Sequence, residues 1–173
     1  MRGVNCLQSI RRILTLFVVA LAACVEQPEL AMPSAEEVES HYASVTEISA
    51  EIRGNVAAIT VVQSATQLRR GGSLWARVGP YIYLFTEETH RLFESFPGLA
   101  AVRVSTQTAG GVPVASAILT RDELSGVLWR RALNIAGQAR RDGTERPALL
   151  EDLIRWGEEH TEHEYSAQYN PSR

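Results

Sequence analysis

The chain contains no lysine; its seventeen basic side chains are all arginine, a bias of the kind GC-rich coding produces. A Schiff-base amine and a phosphate-loop lysine are thereby excluded. Cysteine is nearly as scarce. Cys6 and Cys24 are the only two, so beyond residue 24 no thiolate is available for a disulfide, a metal or nucleophilic attack. No apolar run approaches the ~20 residues a permanent membrane-spanning helix needs. Neither sign of charge dominates: seventeen basic groups face twenty acids, for a net charge of −3. That balance implies no polyanionic partner and no disordered acidic tail. The chain also lacks a G-x-S-x-G elbow, a dinucleotide fingerprint, a phosphate loop and a paired-carboxylate signature. Its 173 residues, 45% of them hydrophobic, suffice for one domain with a real core and not for two.

The most ordered signal lies at the amino terminus. Arg2, Arg11 and Arg12 precede an apolar run from Ile13 to Leu21, and the small residues Ala22 and Ala23 follow. A basic start, a short apolar core and a small-residue cleavage zone make up a secretory signal. The "LAAC" that closes it, Leu21 to Cys24, resembles the lipobox of bacterial lipoprotein signal peptides. The resemblance covers residues 1–24 only. It implies cleavage before Cys24, a diacylglycerol on the Cys24 sulfur, and acylation of its new amino group by a chain such as palmitate. The mature chain would then keep fourteen arginines against twenty acids, a net charge of about −6. Two or three acyl chains anchor stably where one is marginal. Val25, in place of the Asp that commonly retains enteric lipoproteins at the inner membrane, leans toward the outer membrane in a Gram-negative host.

The expected organisation is a signal peptide (1–23), a lipid-bearing tether (24–33), one α+β domain (34–165) and a frayed tail (166–173). "VEQPELAMP" has two prolines and no periodicity, as a tether would. Ser34 and Glu37 have capping-box spacing, and Val38, Tyr42, Val45 and Ile48 form an apolar stripe, so a helix is expected there. After a turn in "EIRGN", "NVAAITVV" reads as a strand. "QSATQLRRGG" reads as a polar loop and "SLWARV" as a second strand. The aromatic and β-branched content of "YIYLF" favours a third strand, with Pro80 as a first helical residue the alternative. Thr86, Glu87 and Glu88 start a helix that Pro97 and Gly98 stop. "LAAVRVSTQ" and "VPVASAIL" flank "TAGG" as a hairpin. Thr120 and Glu123 suggest a capping box for a helix whose apolar positions run from Leu124 to Ala139. Arg140 and Arg141 sit at its cation-favouring end, and Gly143 is its cap. A last helix begins near Pro147.

"NVAAITVVQSATQLRRGG" and "GLAAVRVSTQTAGG" echo one another, with chance in an alanine-rich chain as the plainer reading and an internal duplication as the alternative. The layout, a helix–strand–strand unit used twice and then two closing helices, is similar to the helix–sheet sandwich of small envelope domains such as the BON domain. No motif is shared. The expected fold is an antiparallel sheet of four or five strands with helices packed on it.

Four groups of residues could carry chemistry. In "WGEEHTEHEY", His160, His163 and Glu164 are three and four apart and would converge on one metal if the segment were helical. H-T-E-H matches neither zinc-protease spacing, so a solvated acidic helix end is the plainer reading. Arg69, Arg70, Gly71 and Gly72 could cradle an anion, or form an exposed loop. Trp75, Tyr81 and Tyr83 could form a docking surface, or core and rim. His41 beside the first helix's stripe reads as a packed surface residue, and His90 is a further candidate base. A Ser–His–Asp site is spatial and leaves no sequence trace. Nucleic acid is not expected of an exported acidic domain, and no cofactor or metal is assigned. The resulting expectation is a lipid-anchored envelope protein, attached to the membrane through Cys24. It would act as a non-enzymatic binding or assembly module facing the periplasm, with an unidentified protein or envelope component as partner. The alternative is an envelope hydrolase or metal-binding protein using the carboxyl-terminal His/Glu cluster.

Overall fold

Alternation builds the sheet. In "ISAEIR", Ile48, Ala50 and Ile52 point one way and Ser49, Glu51 and Arg53 the other. In a computed structural model of the chain, which describes residues 30–45 and 48–169, this segment is strand β1 (Ile48–Arg53). Gly54, at φ 61°, supplies the left-handed residue that a two-residue turn requires. β2 (Val56–Val62) returns antiparallel, with Ala57, Ile59 and Val61 buried. β3 (Ala101–Gln107) and β4 (Pro113–Thr120) form the expected hairpin, closed through Thr108 and Gly111. β5 (Glu162–Tyr165) adds to the free edge of β4, giving the order β1-β2-β3-β4-β5.

The fold is α+β with a five-stranded sheet, as expected, and two helices close the chain before β5. The sheet is mostly antiparallel but mixed, because β2 and β3 run parallel. A parallel pair needs a long crossover, and residues 63–100 supply it as two helices. The hairpin β1–β2 and the hairpin β3–β4 thus each follow a helix. The echoed segments are nonetheless not equivalent: β2 closes the first hairpin, whereas β3 opens the second.

Five helices stand among the described residues. α1 (Ala35–His41) has the capping box in full: Ser34 N–H donates to Glu37 Oε2 at 2.7 Å, and Glu37 N–H to Ser34 Oγ at 3.2 Å. It is shorter than its apolar stripe suggested; Val38 and Tyr42 are buried, but Ile48 belongs to β1.

α2 (Ala65–Leu84) replaces the expected loop and two strands. Trp75, Val78, Tyr81, Ile82 and Leu84 are all buried in it, because it crosses β3 and β4 on one side and meets α4 and α5 on the other. From Trp75 to Leu84 the helix is buried nearly all round and shows no polar stripe, so its period is hidden there. Ser64 caps it, and Gly72 (φ 53°) breaks it. Pro80 lies in its interior and leaves the Ala76 carbonyl without its usual partner. Each fully buried large apolar side chain here contributes about 1.5–3 kcal/mol.

α3 (Glu87–Ser95) starts at Thr86 as expected. α4 (Gly126–Asp142) starts later than Thr120, which ends β4; Ser125 is the flanking residue. Gly143 does cap α4, but at a right-handed φ of −62°. Glycine is required there by space, since a Cβ would meet Leu150 Cγ at 3.0 Å. α5 (Pro147–His160) starts at Pro147 as expected. α2 packs on one face of the sheet, over β3 and β4, and α4 and α5 pack on α2. The other face carries Ser49, Thr60, Ser105, Ser116 and Glu164 across the strands, and no described element covers it.

Candidate functional site

The His/Glu cluster does not assemble. α5 ends at His160, and Thr161 turns extended, its Oγ1 donating to the Gly157 carbonyl at 2.7 Å. The next four residues pair with β4, whose free edge offers ladder bonds that a solvated helix turn lacks. On a strand His163 and Glu164 face opposite ways. His160 turns instead to Glu123, Nδ1 to Oε1 at 3.0 Å, and packs on Trp156 at 4.2 Å between ring centres. Among the described residues no group of three or more His, Cys, Asp and Glu is placed to hold a metal ion. His90 lies against Trp129 and 3.9 Å from Glu94, and His41 edges onto Phe96. No histidine among the described residues is hydrogen-bonded to a serine.

Arg69 to Gly72 are not a loop but part of α2 at its break, with Arg69 exposed beside Thr66. Trp75 and Tyr81 belong to the core, and only Tyr83 reaches a surface. Tyr81 helps to lock the carboxyl end. Its hydroxyl lies 2.6 Å from that of Tyr165, which donates to Glu158 Oε1 at 2.9 Å, and Arg77 Nη2 reaches the same oxygen at 2.5 Å. Burial raises the Glu158 pKa, but the hydrogen bonds from Arg77 and Tyr165 outweigh it, and the carboxyl stays below its ordinary value. Burial pushes Tyr81 up to about 12. This network has its hydroxyls and carboxylate mutually satisfied, and its role is to hold β5.

The most site-like feature is a cleft on the helical side. Its larger part, about 560 Å³, lies between the α1–β1 connection (Tyr42, Ser44, Val45), the end of α2 (Ile82, Tyr83), the start of α3 (Glu87, Glu88) and α4 (Leu133, Arg140). Volumes of roughly 300–1,000 Å³ are usual for small-molecule sites. A recess of about 90 Å³ shares Ile82, Tyr83 and Arg140 with it and reaches inward to Gln63 and Trp75.

Gln63 follows β2, its N–H extending the ladder to the Gln107 carbonyl. The side chain is 4% exposed. Its Nε2 donates to the Trp75 carbonyl at 2.5 Å, which fixes the amide's orientation, because an oxygen there would face an oxygen. Gln63 Oε1 is therefore an acceptor buried at the recess with no donor among the described residues. Leaving such an atom unpaired costs about 1–3 kcal/mol. Gly79 makes the approach possible: a Cβ there would meet Gln63 Oε1 at 3.0 Å and Thr106 Cγ2 at 3.2 Å.

Arg140 sits between recess and cleft. One guanidinium N–H bonds the Ile82 carbonyl at 2.9 Å, an oxygen at the end of α2 that the helix itself leaves free. Its other N–H groups have no acceptor, and no carboxylate lies within ion-pair distance, among the described residues. Desolvation lowers its pKa from the usual arginine value, partly offset by Glu88 and Tyr83. It remains a cation at neutral pH. A second depression, about 510 Å³, lies on the open sheet face between Thr60, Ser116 and Glu164. No buried side-chain polar atom there lacks a partner among the described residues, which separates it from the cleft.

Sequence reasoning missed this site. Arg140 was legible only as a cation suited to a helix end, and Gln63 as part of a polar stretch. Seventy-seven positions separate them, and no local signal joins them. The architecture is thus a helix-covered sheet with a cleft on its helical side. No protein-family model, curated protein or solved structure matches the chain.

Proposed function

We propose that the protein is a lipid-anchored component of the cell envelope, held by acyl chains on Cys24. Its α+β domain acts as a binding or assembly module facing the periplasm, at the outer membrane in a Gram-negative host. The observation that carries the reading is the ordered set Arg11, Arg12, the apolar run and "LAAC", with no cysteine after residue 24. These residues lie outside those the structure describes. Two features of the folded part accord with the proposal. The Ala31 carbonyl already accepts from the Gly98 N–H, so the tether from Cys24 to the fold spans about six residues, a reach of at most ~20 Å from a membrane surface. No helix among the described residues is long and apolar enough to cross a membrane.

The test is the intact mass of the full chain extracted from membranes with detergent. The expected species begins at Cys24 and carries the mass of two or three acyl chains. Cys24→Ser removes the thiolate that takes the diacylglycerol, so processing at this site should stop. A mature species that begins elsewhere, or begins at Cys24 without acyl mass, would refute the proposal.

A further inference from the structure

We propose that the Gln63–Arg140 cleft binds a short peptide by its free carboxyl end: the carboxylate on Arg140, the last amide N–H on Gln63 Oε1, and the amino end toward Glu87 and Glu88. The inference rests on the reading of the domain as a binding module but not on its lipid anchor.

The recess sets the first part of the ligand. Gln63, whose Oε1 is buried without a donor, and Arg140, exposed and with free guanidinium N–H groups, both line a space of about 90 Å³. A ligand that satisfies both must carry an oxyanion and an N–H or O–H within a few bonds of each other. The carboxyl-terminal residue of a peptide has that arrangement, and guanidinium–carboxylate pairing is the geometry arginine serves best.

The outer cleft sets the rest. Val45, Ile82 and Leu133 give it apolar walls, suited to a side chain. Glu87 and Glu88 stand at the start of α3, where acids favour the helix dipole. Their charge opposes a second anion on the ligand and favours an ammonium. A phosphate or a dicarboxylate would bring extra negative charge with no second cation among the described lining residues. A two- or three-residue peptide with free ends satisfies every group. Gly79 has a role in this scheme too, because it lets the Gln63 amide lie against α2.

The experiment is calorimetric titration of the full chain in detergent with the peptide Gly-Leu-Phe, its carboxyl-terminal amide, its N-acetyl form and inorganic phosphate. The free peptide should bind, and the amide should bind about tenfold or more weakly. N-acetylation should weaken binding by a smaller factor. Arg140→Gln should abolish the preference for carboxylate over amide, and Arg140→Lys should restore part of it, both in a protein that still unfolds cooperatively, with a Tm lowered by a few degrees at most through loss of the bond to the Ile82 carbonyl. Three results would overturn the proposal. The peptide and its amide could bind equally, phosphate could bind better than either, or no probe could bind at millimolar concentration. In the last case water satisfies Gln63 and Arg140 is a surface residue. None of these results bears on the mass of the acylated protein, so the two proposals fail separately.

Discussion

Replacing Gly157 by alanine adds one methyl group to helix α5, and its effect should be opposite in sign to the same change at Gly137 on α4. In an open helix interior alanine is favoured over glycine by about 1 kcal/mol, through backbone entropy. Gly137 is such a site: an added Cβ would meet only Arg141 Nη1, at 3.8 Å. Gly157 is buried, and a Cβ there would lie 2.6 Å from Tyr81 Cγ and closer still to two other ring carbons. Carbon atoms attract at about 3.5–4.0 Å and repel strongly below. Tyr81 cannot retreat, since it is fully buried, its hydroxyl is 2.6 Å from that of Tyr165, and its ring stacks on Phe85. Overpacking of this kind costs about 1–3 kcal/mol or more. After the propensity gain we predict a net loss of about 2 kcal/mol for Gly157→Ala, a fall in Tm of about 4–8 °C. Gly137→Ala should gain up to about 1 kcal/mol. Denaturant and thermal unfolding of the two variants decide the matter. A Gly157→Ala variant as stable as wild type would show that α5 and α2 do not approach as closely as described.

Leu153, on α5, is fully buried, and α5 packs against α2 and α4. We predict that Leu153→Ala costs about 3–5 kcal/mol by leaving a cavity, measured as a lower midpoint at an unchanged denaturant slope; a cost below about 1 kcal/mol would mean the core had closed around it. Glu158 has a lowered folded-state pKa, so its contribution is fully present above the unfolded value near 4.5 and is lost as pH falls through the lower folded value. Because the carboxylate is about one-third exposed, solvent screening keeps this under about 1 kcal/mol. We predict that Glu158→Gln flattens the acid limb of stability against pH; an acid limb as steep as that of wild type would show the group uncoupled from folding.

Much of the fold is written locally. The Ser34–Glu37 box, the Thr86 cap, Pro147 at a helix start and the glycine turn between β3 and β4 each involve residues within a few positions. Their geometry depends on neighbours along the chain, so it can be read along the chain. The alternation of "ISAEIR" was equally local, but the apolar spacing of Val38 to Ile48 competes with it, and only the pairing of Ile48 with Val61 settles the choice. The amino-terminal signature also belongs to the sequence alone, since its residues lie outside those the structure describes.

Tertiary contact decided the rest. "SLWARVGPYIYLF" has the side chains of a strand and the breakers of a loop, yet it is helix, because burial on the sheet and against α4 and α5 outweighs the propensity of each residue. "EHEY" has no apolar alternation to announce a strand. The free edge of β4, with Tyr165 held by Tyr81 and Glu158, makes it one. The same change of backbone separates His163 from Glu164 and removes a metal site that only a helix would have made. The cleft is tertiary throughout. Gln63 lacks a donor only because α2 covers it, and Arg140 faces it only because α4 packs beside α2. A residue's type specifies what it can bond to, but which bonds remain unmade after folding is a property of the packed chain.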